Sequence, residues 1–168
     1  MSKYVATIEP VSACPVKCTL CPVSRKDVTQ PRAELMSRET AAFVARRLRR
    51  EFGVEDVSFG NWGEPLLHRD IVEILDIFKV EGFKSLYVSS SLSIDIDAEA
   101  LVLSGADQID LSTSGMTEEV YHRAHAKGRF ELVMANVIAL AAAALKHPGK
   151  LHVGMRWHRY RYNEFQLD

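Results

Sequence analysis

The 168 residues are 47% apolar and 26% charged with a formal charge of −1, the profile of one globular domain with a sizeable core. No run of eighteen apolar residues occurs, so no membrane span is predicted, and the near-neutral charge offers no bulk attraction for nucleic acid. The opening Met-Ser-Lys-Tyr lacks the apolar core of a signal peptide, and clustered thiols fit a reducing compartment, so a cytoplasmic setting is expected.

Residues 4–9 are a β-prone run that delivers Cys14-Pro-Val-Lys-Cys18-Thr-Leu-Cys21-Pro. All three cysteines of the chain fall within these eight residues, which excludes a disulfide framework and a four-cysteine metal site. Three thiolates on one loop, stiffened by Pro15 and Pro22, suit a single iron–sulfur cluster with one iron open to an outside ligand. Zinc is the competing reading, but a closed zinc site needs a fourth protein ligand and the first histidine is His68. Plain core thiols are the third reading, although these usually scatter rather than crowd one loop.

Residues 22–36 are polar and punctuated by proline, and read as the outer part of the cysteine loop. Ser37 is a predicted N-cap for a helix striped by Ala41, Val44, Ala45, Leu48 and Phe52 and ended by Gly53. Its arginine run at 46–50 reads as a solvated face. Residues 56–59 form the second strand and run into Gly60-Asn-Trp-Gly63-Glu64-Pro65. Asp70 with Glu73 makes a capping box for a helix whose apolar face is Ile71, Ile74, Leu75 and Phe78. A third strand over 86–88 leads to Ser89-Ser90-Ser91, and Asp97 caps a short helix over 98–104. A fourth strand over 109–111 leads to Ser112-Thr-Ser114-Gly115. Thr117 starts the next helix, an Ala-rich helix spans 130–146, and residues 151–162 form a fifth strand.

Strands alternating with helices call for parallel pairing with right-handed crossovers, an α/β chain. In such folds sites gather at the carboxyl ends of the strands, where the cysteine loop and the segments starting at Gly60, Ser89 and Ser112 all fall.

The Cys-x3-Cys-x2-Cys spacing with Gly63-Glu64-Pro65 after the second strand resembles the radical S-adenosylmethionine (SAM) enzymes. The resemblance runs from Tyr4 to about Asn163, and implies a partial (β/α) barrel of parallel strands with five β/α units of an expected six. It implies that residues 1–168 form a radical SAM core domain, with Cys14, Cys18 and Cys21 holding a [4Fe–4S] cluster and SAM chelating the open iron. Reductive cleavage of SAM would yield a 5′-deoxyadenosyl radical that takes hydrogen from a peptide, sugar or other small-molecule substrate. A donor such as flavodoxin or ferredoxin would supply the electron. By the same resemblance Leu20 touches adenine, Glu64 accepts from the SAM ammonium beside the Gly63 backbone, and Ser90 and Ser112 offer hydroxyls to SAM. Arg123 or His125 would meet its carboxylate. The alternative is an iron–sulfur or zinc module without turnover.

Periodicity places His152, Gly154, Arg156, His158 and Tyr160 on one face of the fifth strand, with Leu151, Val153, Met155 and Trp157 on the other. The polar face is expected to look into the barrel, bringing Arg156 and His158 toward SAM or substrate. Asn163 with Gln166 announces a further helix that the next two residues do not complete, so a sixth unit is expected beyond Asp168. A strand left at the edge exposes unpaired backbone groups, so self-association through residues 151–162 is expected.

Overall fold

Parallel pairing joins five strands side by side in a computed structural model that describes residues 4–24 and 34–166. Of the predicted outer part of the cysteine loop, residues 22–36, residues 25–33 lie outside the described residues. In chain order the elements are β1 (Val5–Ile8), β2 (Lys17–Cys18), α1 (Arg38–Arg50), β3 (Asp56–Phe59), α2 (Ile71–Val80), β4 (Ser85–Ser90), α3 (Ala98–Val102), β5 (Gln108–Thr113), α4 (Glu118–Ala124), β6 (His125–Ala126), α5 (Phe130–Lys146) and β7 (His152–Trp157). The main sheet runs β1-β3-β4-β5-β7, every pair parallel, and helices make the crossovers. This is the expected α/β arrangement, a partial (β/α) barrel of five parallel strands.

The core follows from two periodicities meeting. Alternate strand residues Val57, Phe59, Leu86, Val88, Ile109 and Leu111 are buried toward the helices. Ala41 and Ala45 of α1 and Ile74, Leu75 and Phe78 of α2 close over them, with Phe59 and Phe78 meeting edge to face at 5.1 Å. The opposite strand positions Ser58, Tyr87, Ser89, Asp110 and Ser112 are polar or amphipathic and half-buried, which leaves a hydrophilic face at the sheet's carboxyl end.

Several local expectations hold in detail. Ser37 accepts from the Thr40 N–H, and Asp97 from the Ala100 N–H. In the arginine run of α1, Arg46, Arg47 and Arg50 are exposed, Arg47 paired with Glu51 and Arg46 and Arg50 with Glu81.

Three differ. Phe52 is exposed, because α1 ends at Arg50 and Gly53 turns the chain at a φ of +63° before Phe52 can join the stripe. Asp70 makes no cap hydrogen bond. Its N–H goes to His68 Nδ1 at 3.0 Å, while its carboxylate and that of Glu73 face α1 and share Arg38 at 3.0 and 3.1 Å. The third is β7, which is six residues long rather than a dozen.

Asn163 explains the shortened strand. It is fully buried; its Nδ2 donates to Ser114 O and His158 O, both at 2.8 Å, and its Oδ1 accepts from the Tyr160 N–H at 2.6 Å. These bonds fold residues 158–163 back over the end of β5 instead of extending β7. The helix signature at Asn163 appears as a single 3-10 turn, Glu164–Gln166, whose Gln166 carboxamide bonds Met116 N and Thr117 Oγ1. Asn163→Ala would leave two carbonyls and one amide without partners. Urea unfolding should show a loss of about 2–4 kcal/mol, and an unchanged midpoint would mean that water replaces the carboxamide.

Candidate functional site

A cavity of about 320 Å³ opens at the carboxyl end of the sheet, and all three cysteines line it. The loop that carries them is held by short-range geometry and by one distant strand. Cys18 O accepts from the Cys21 N–H, and Cys21 O from the Ser24 N–H. Lys17 and Cys18 form β2, which pairs antiparallel with β6 so that Cys18 faces His125. Thr19 adds its N–H to Ala124 O and its hydroxyl to Arg123 O, both at 2.9 Å. The turn after α4 thus clamps the loop between its second and third cysteines.

Burial pushes the Cys14 thiol up to about 12 and the Cys18 thiol up to about 11, with the Glu64 carboxylate and the neighbouring thiols adding to it. Both are therefore protonated at neutral pH until a metal displaces the proton. Among the described residues no three His, Cys, Asp or Glu side chains converge closely enough to share one ion. Three thiols spread around one cavity suit a polynuclear cluster, which binds each thiolate at a different iron, better than a single zinc ion.

Glu64 sits beneath this cavity, 1% exposed. Its Oε1 accepts from Ser90 Oγ at 2.7 Å and the Leu66 N–H at 3.3 Å. Its Oε2 accepts from the Ser91 N–H at 2.7 Å and Ser91 Oγ at 2.6 Å. Burial raises its proton affinity and these hydrogen bonds oppose the rise. Four donors fill the acceptor capacity of a carboxylate. The side chain therefore ties β4 to the turn before α2, and Ser90, which also accepts from the Leu92 N–H, is spent in the same tie. Gly63 lines the cavity. A Cβ there would fall 2.0 Å from Val11 O, so only glycine lets the turn lie against the cysteine arm.

The two candidates for a carboxylate-binding cation separate cleanly. His125 lines the cavity, stacked on Tyr121 at 4.7 Å, with Nδ1 3.3 Å from Cys18 Sγ and Nε2 3.2 Å from Ser114 Oγ. Burial lowers its pKa to about 4, helped by His158 and His122, so it is neutral at pH 7 and both nitrogens are engaged. Arg123 lies outside the cavity, paired with Glu119 at 3.2 Å and set over the Tyr162 ring at 5.6 Å. Arg156 shares the predicted inward face but turns back to Asp110 at 3.5 Å and does not reach the cavity wall; His158 and Tyr160 do. Leu20 and Ser112 also line it, Leu20 with 74% of its surface open at the mouth.

Residues to which the sequence assigned no individual role complete the wall or hold it. Trp62 and Tyr160 line it, Ser91 caps Glu64, and Glu9 binds the backbone behind the Gly60 turn. An aromatic side chain inside a glycine turn was the available signal for Trp62. Glu9 gave none, because its partners are amides more than fifty residues away.

The chain belongs to the radical SAM superfamily, whose family model matches residues 8–156. The family binds a [4Fe–4S] cluster and SAM, and three thiols around one cavity fit the cluster. Among curated relatives, the GTP 3′,8-cyclase of Chlorobaculum tepidum is 32% identical over 124 residues, covering 73% of this chain and 36% of that protein. The probable GTP 3′,8-cyclase of Saccharolobus solfataricus is 27% identical over 126 residues, covering 74% and 39%. This chain thus spans well under half the length of these relatives. In fold it is similar to native anSMEcpe with bound AdoMet (TM-score 0.66, 18% identity, 90% of this chain and 43% of that one). It is also similar to Streptococcus suis SuiB bound to precursor peptide SuiA (TM-score 0.70, 16% identity, 97% and 35%). No described helix is long and apolar enough to cross a membrane.

Two measurements check this site. Anaerobic reconstitution should give a brown protein with about four irons per chain, and changing any of Cys14, Cys18 or Cys21 to Ala should largely abolish uptake. Stoichiometric zinc without iron would refute the assignment. Glu64→Ala should cost about 2–4 kcal/mol in urea unfolding because four buried donors lose their acceptor, and Glu64→Gln, which keeps one oxygen, should cost less.

Proposed function

We propose that this chain is the cluster- and SAM-binding core of an enzyme that cleaves SAM reductively and removes hydrogen from a purine nucleotide of the GTP class. The carrying observation is the convergence of three cysteine thiols and the Gly60–Glu64 turn on one cavity at the strands' carboxyl ends. The substrate class rests on the relatives' names, which describe ring-forming enzymes, so cyclisation is favoured over a net redox or transfer reaction.

Cys14, Cys18 and Cys21 would hold the cluster. When bound and reduced, it supplies the electron that breaks the sulfonium C–S bond of SAM. The chain's own residues position and shield that event. The Gly60–Gly63 backbone offers acceptors to the ammonium, and Glu64 fixes that turn against β4 rather than meeting the ammonium itself. Leu20 and Trp62 at the mouth present apolar faces to adenine, and Ser112 a hydroxyl to the ribose. His125, neutral and fully engaged, orients the cluster loop, while His158 and Tyr160 border the side open to substrate. Arg123 and Arg156, each paired outside the cavity, have no part in this scheme. A flavodoxin- or ferredoxin-like donor would deliver the electron at the loop's exposed side, and the setting is cytoplasmic. The core would associate through the open edge of β7, which pairs with β5 alone among the described residues.

The test is 5′-deoxyadenosine release from reconstituted, dithionite-reduced protein. Release should require all three cysteines and rise with GTP, and deuterium from labelled GTP should appear in the product. A fully loaded cluster with no SAM cleavage would make this a binding module instead. Sedimentation velocity should show a concentration-dependent dimer; a monomer at all concentrations would remove the β7 contact.

A further inference from the structure

Five consecutive amides, Gly60 to Glu64, all donate to the stretch from the last residue of β1 to the residue before the first cysteine. The Gly60 N–H reaches Ile8 O at 3.0 Å, and the Glu64 N–H reaches Ala13 O at 2.8 Å. Glu9 takes the three between: its Oε1 accepts from Asn61 at 2.7 Å and Trp62 at 2.8 Å, and its Oε2 from Gly63 at 3.1 Å. A single carboxylate is therefore the mould for the turn.

The consequence lies on the other side of each peptide plane. In a trans peptide the N–H and the C=O point in opposite directions, and these units are trans. The carbonyls of Gly60, Asn61 and Trp62 share planes with the three amides bound to Glu9, so they point away from it. Glu9 is not part of the cavity wall, whereas Gly60, Asn61, Trp62 and Gly63 are. The three carbonyls thus face the cavity side, and no described residue donates to those of Asn61 and Trp62. Neighbouring carbonyl oxygens turned one way suit a compact cation with several N–H donors, such as an ammonium. Glu64, saturated by its own four donors, does not compete for it.

We infer that Glu9 is a positioning residue: it turns the Gly60–Trp62 carbonyls into the cavity, where they receive the ammonium of the methionyl part of SAM. The inference rests on the proposed function and adds to it the device that shapes the ammonium subsite.

Two variants separate this from general damage. Glu9→Gln keeps the size but sets an NH2 donor against amide donors, and Glu9→Asp keeps the charge but is one methylene short. Each, reconstituted anaerobically, is titrated calorimetrically with SAM and with 5′-deoxyadenosine, which lacks the amino-acid part. Glu9→Gln should bind SAM at least tenfold more weakly and Glu9→Asp by an intermediate factor. Iron content and 5′-deoxyadenosine affinity should match the unaltered chain. Unchanged SAM affinity, or equal weakening toward both ligands, overturns the inference. Should Glu9→Gln fail to load iron, Glu9→Asp decides on the same two ligands. An unaltered chain that loads iron but binds no SAM would instead overturn the proposed function.

Discussion

The bundle of hydrogen bonds between residues 8–13 and residues 60–64 is the constraint on which the rim depends. It joins the arm that delivers the cysteines to the turn that follows β3, so neither can move without the other. Glu64 extends the bond network to the end of β4 through Ser90 and Ser91. The β2–β6 pair extends it to the end of α4. Four segments far apart in sequence thereby become one frame, which is what catalytic positioning on loops requires.

The charge balance of that frame is one-sided. Buried Glu64 and the neighbouring thiols add to the raised proton affinity of Cys14 and Cys18, and among the described residues no Lys or Arg lines the cavity wall. His125, the one basic group buried there, is held neutral. The two arginines that the sequence offered to the site are paired outside, Arg123 with Glu119 and Arg156 with Asp110. Once its thiols give up their protons, such a site favours positively charged occupants. Iron ions and a sulfonium bearing an ammonium both answer that description.

Much of this was legible along the chain. The cysteine spacing, the Gly63-Glu64-Pro65 turn, the strand–helix alternation and the caps at Ser37 and Asp97 depend on neighbours a few residues apart, where local geometry dictates structure. The apolar face of α2 was equally plain, since burial on one face writes a periodicity into the residues themselves. The family followed from two short motifs.

What needed the tertiary structure was the partner of each polar side chain. Sequence offered Glu64 to the SAM ammonium, Arg123 or His125 to its carboxylate, and Arg156 with His158 to SAM or substrate, because a side chain's reach says nothing about which distant donor or acceptor fills it first. Packing decided that Ser90 and Ser91 saturate Glu64, that Asp110 draws Arg156 aside, and that Cys18 and Ser114 engage His125. It likewise decided that Asn163 ends β7 after six residues, through bonds to a loop almost fifty positions earlier. Local order is set by short-range sterics and periodicity; the allocation of buried hydrogen bonds is a property of the whole fold, and only the fold reveals it.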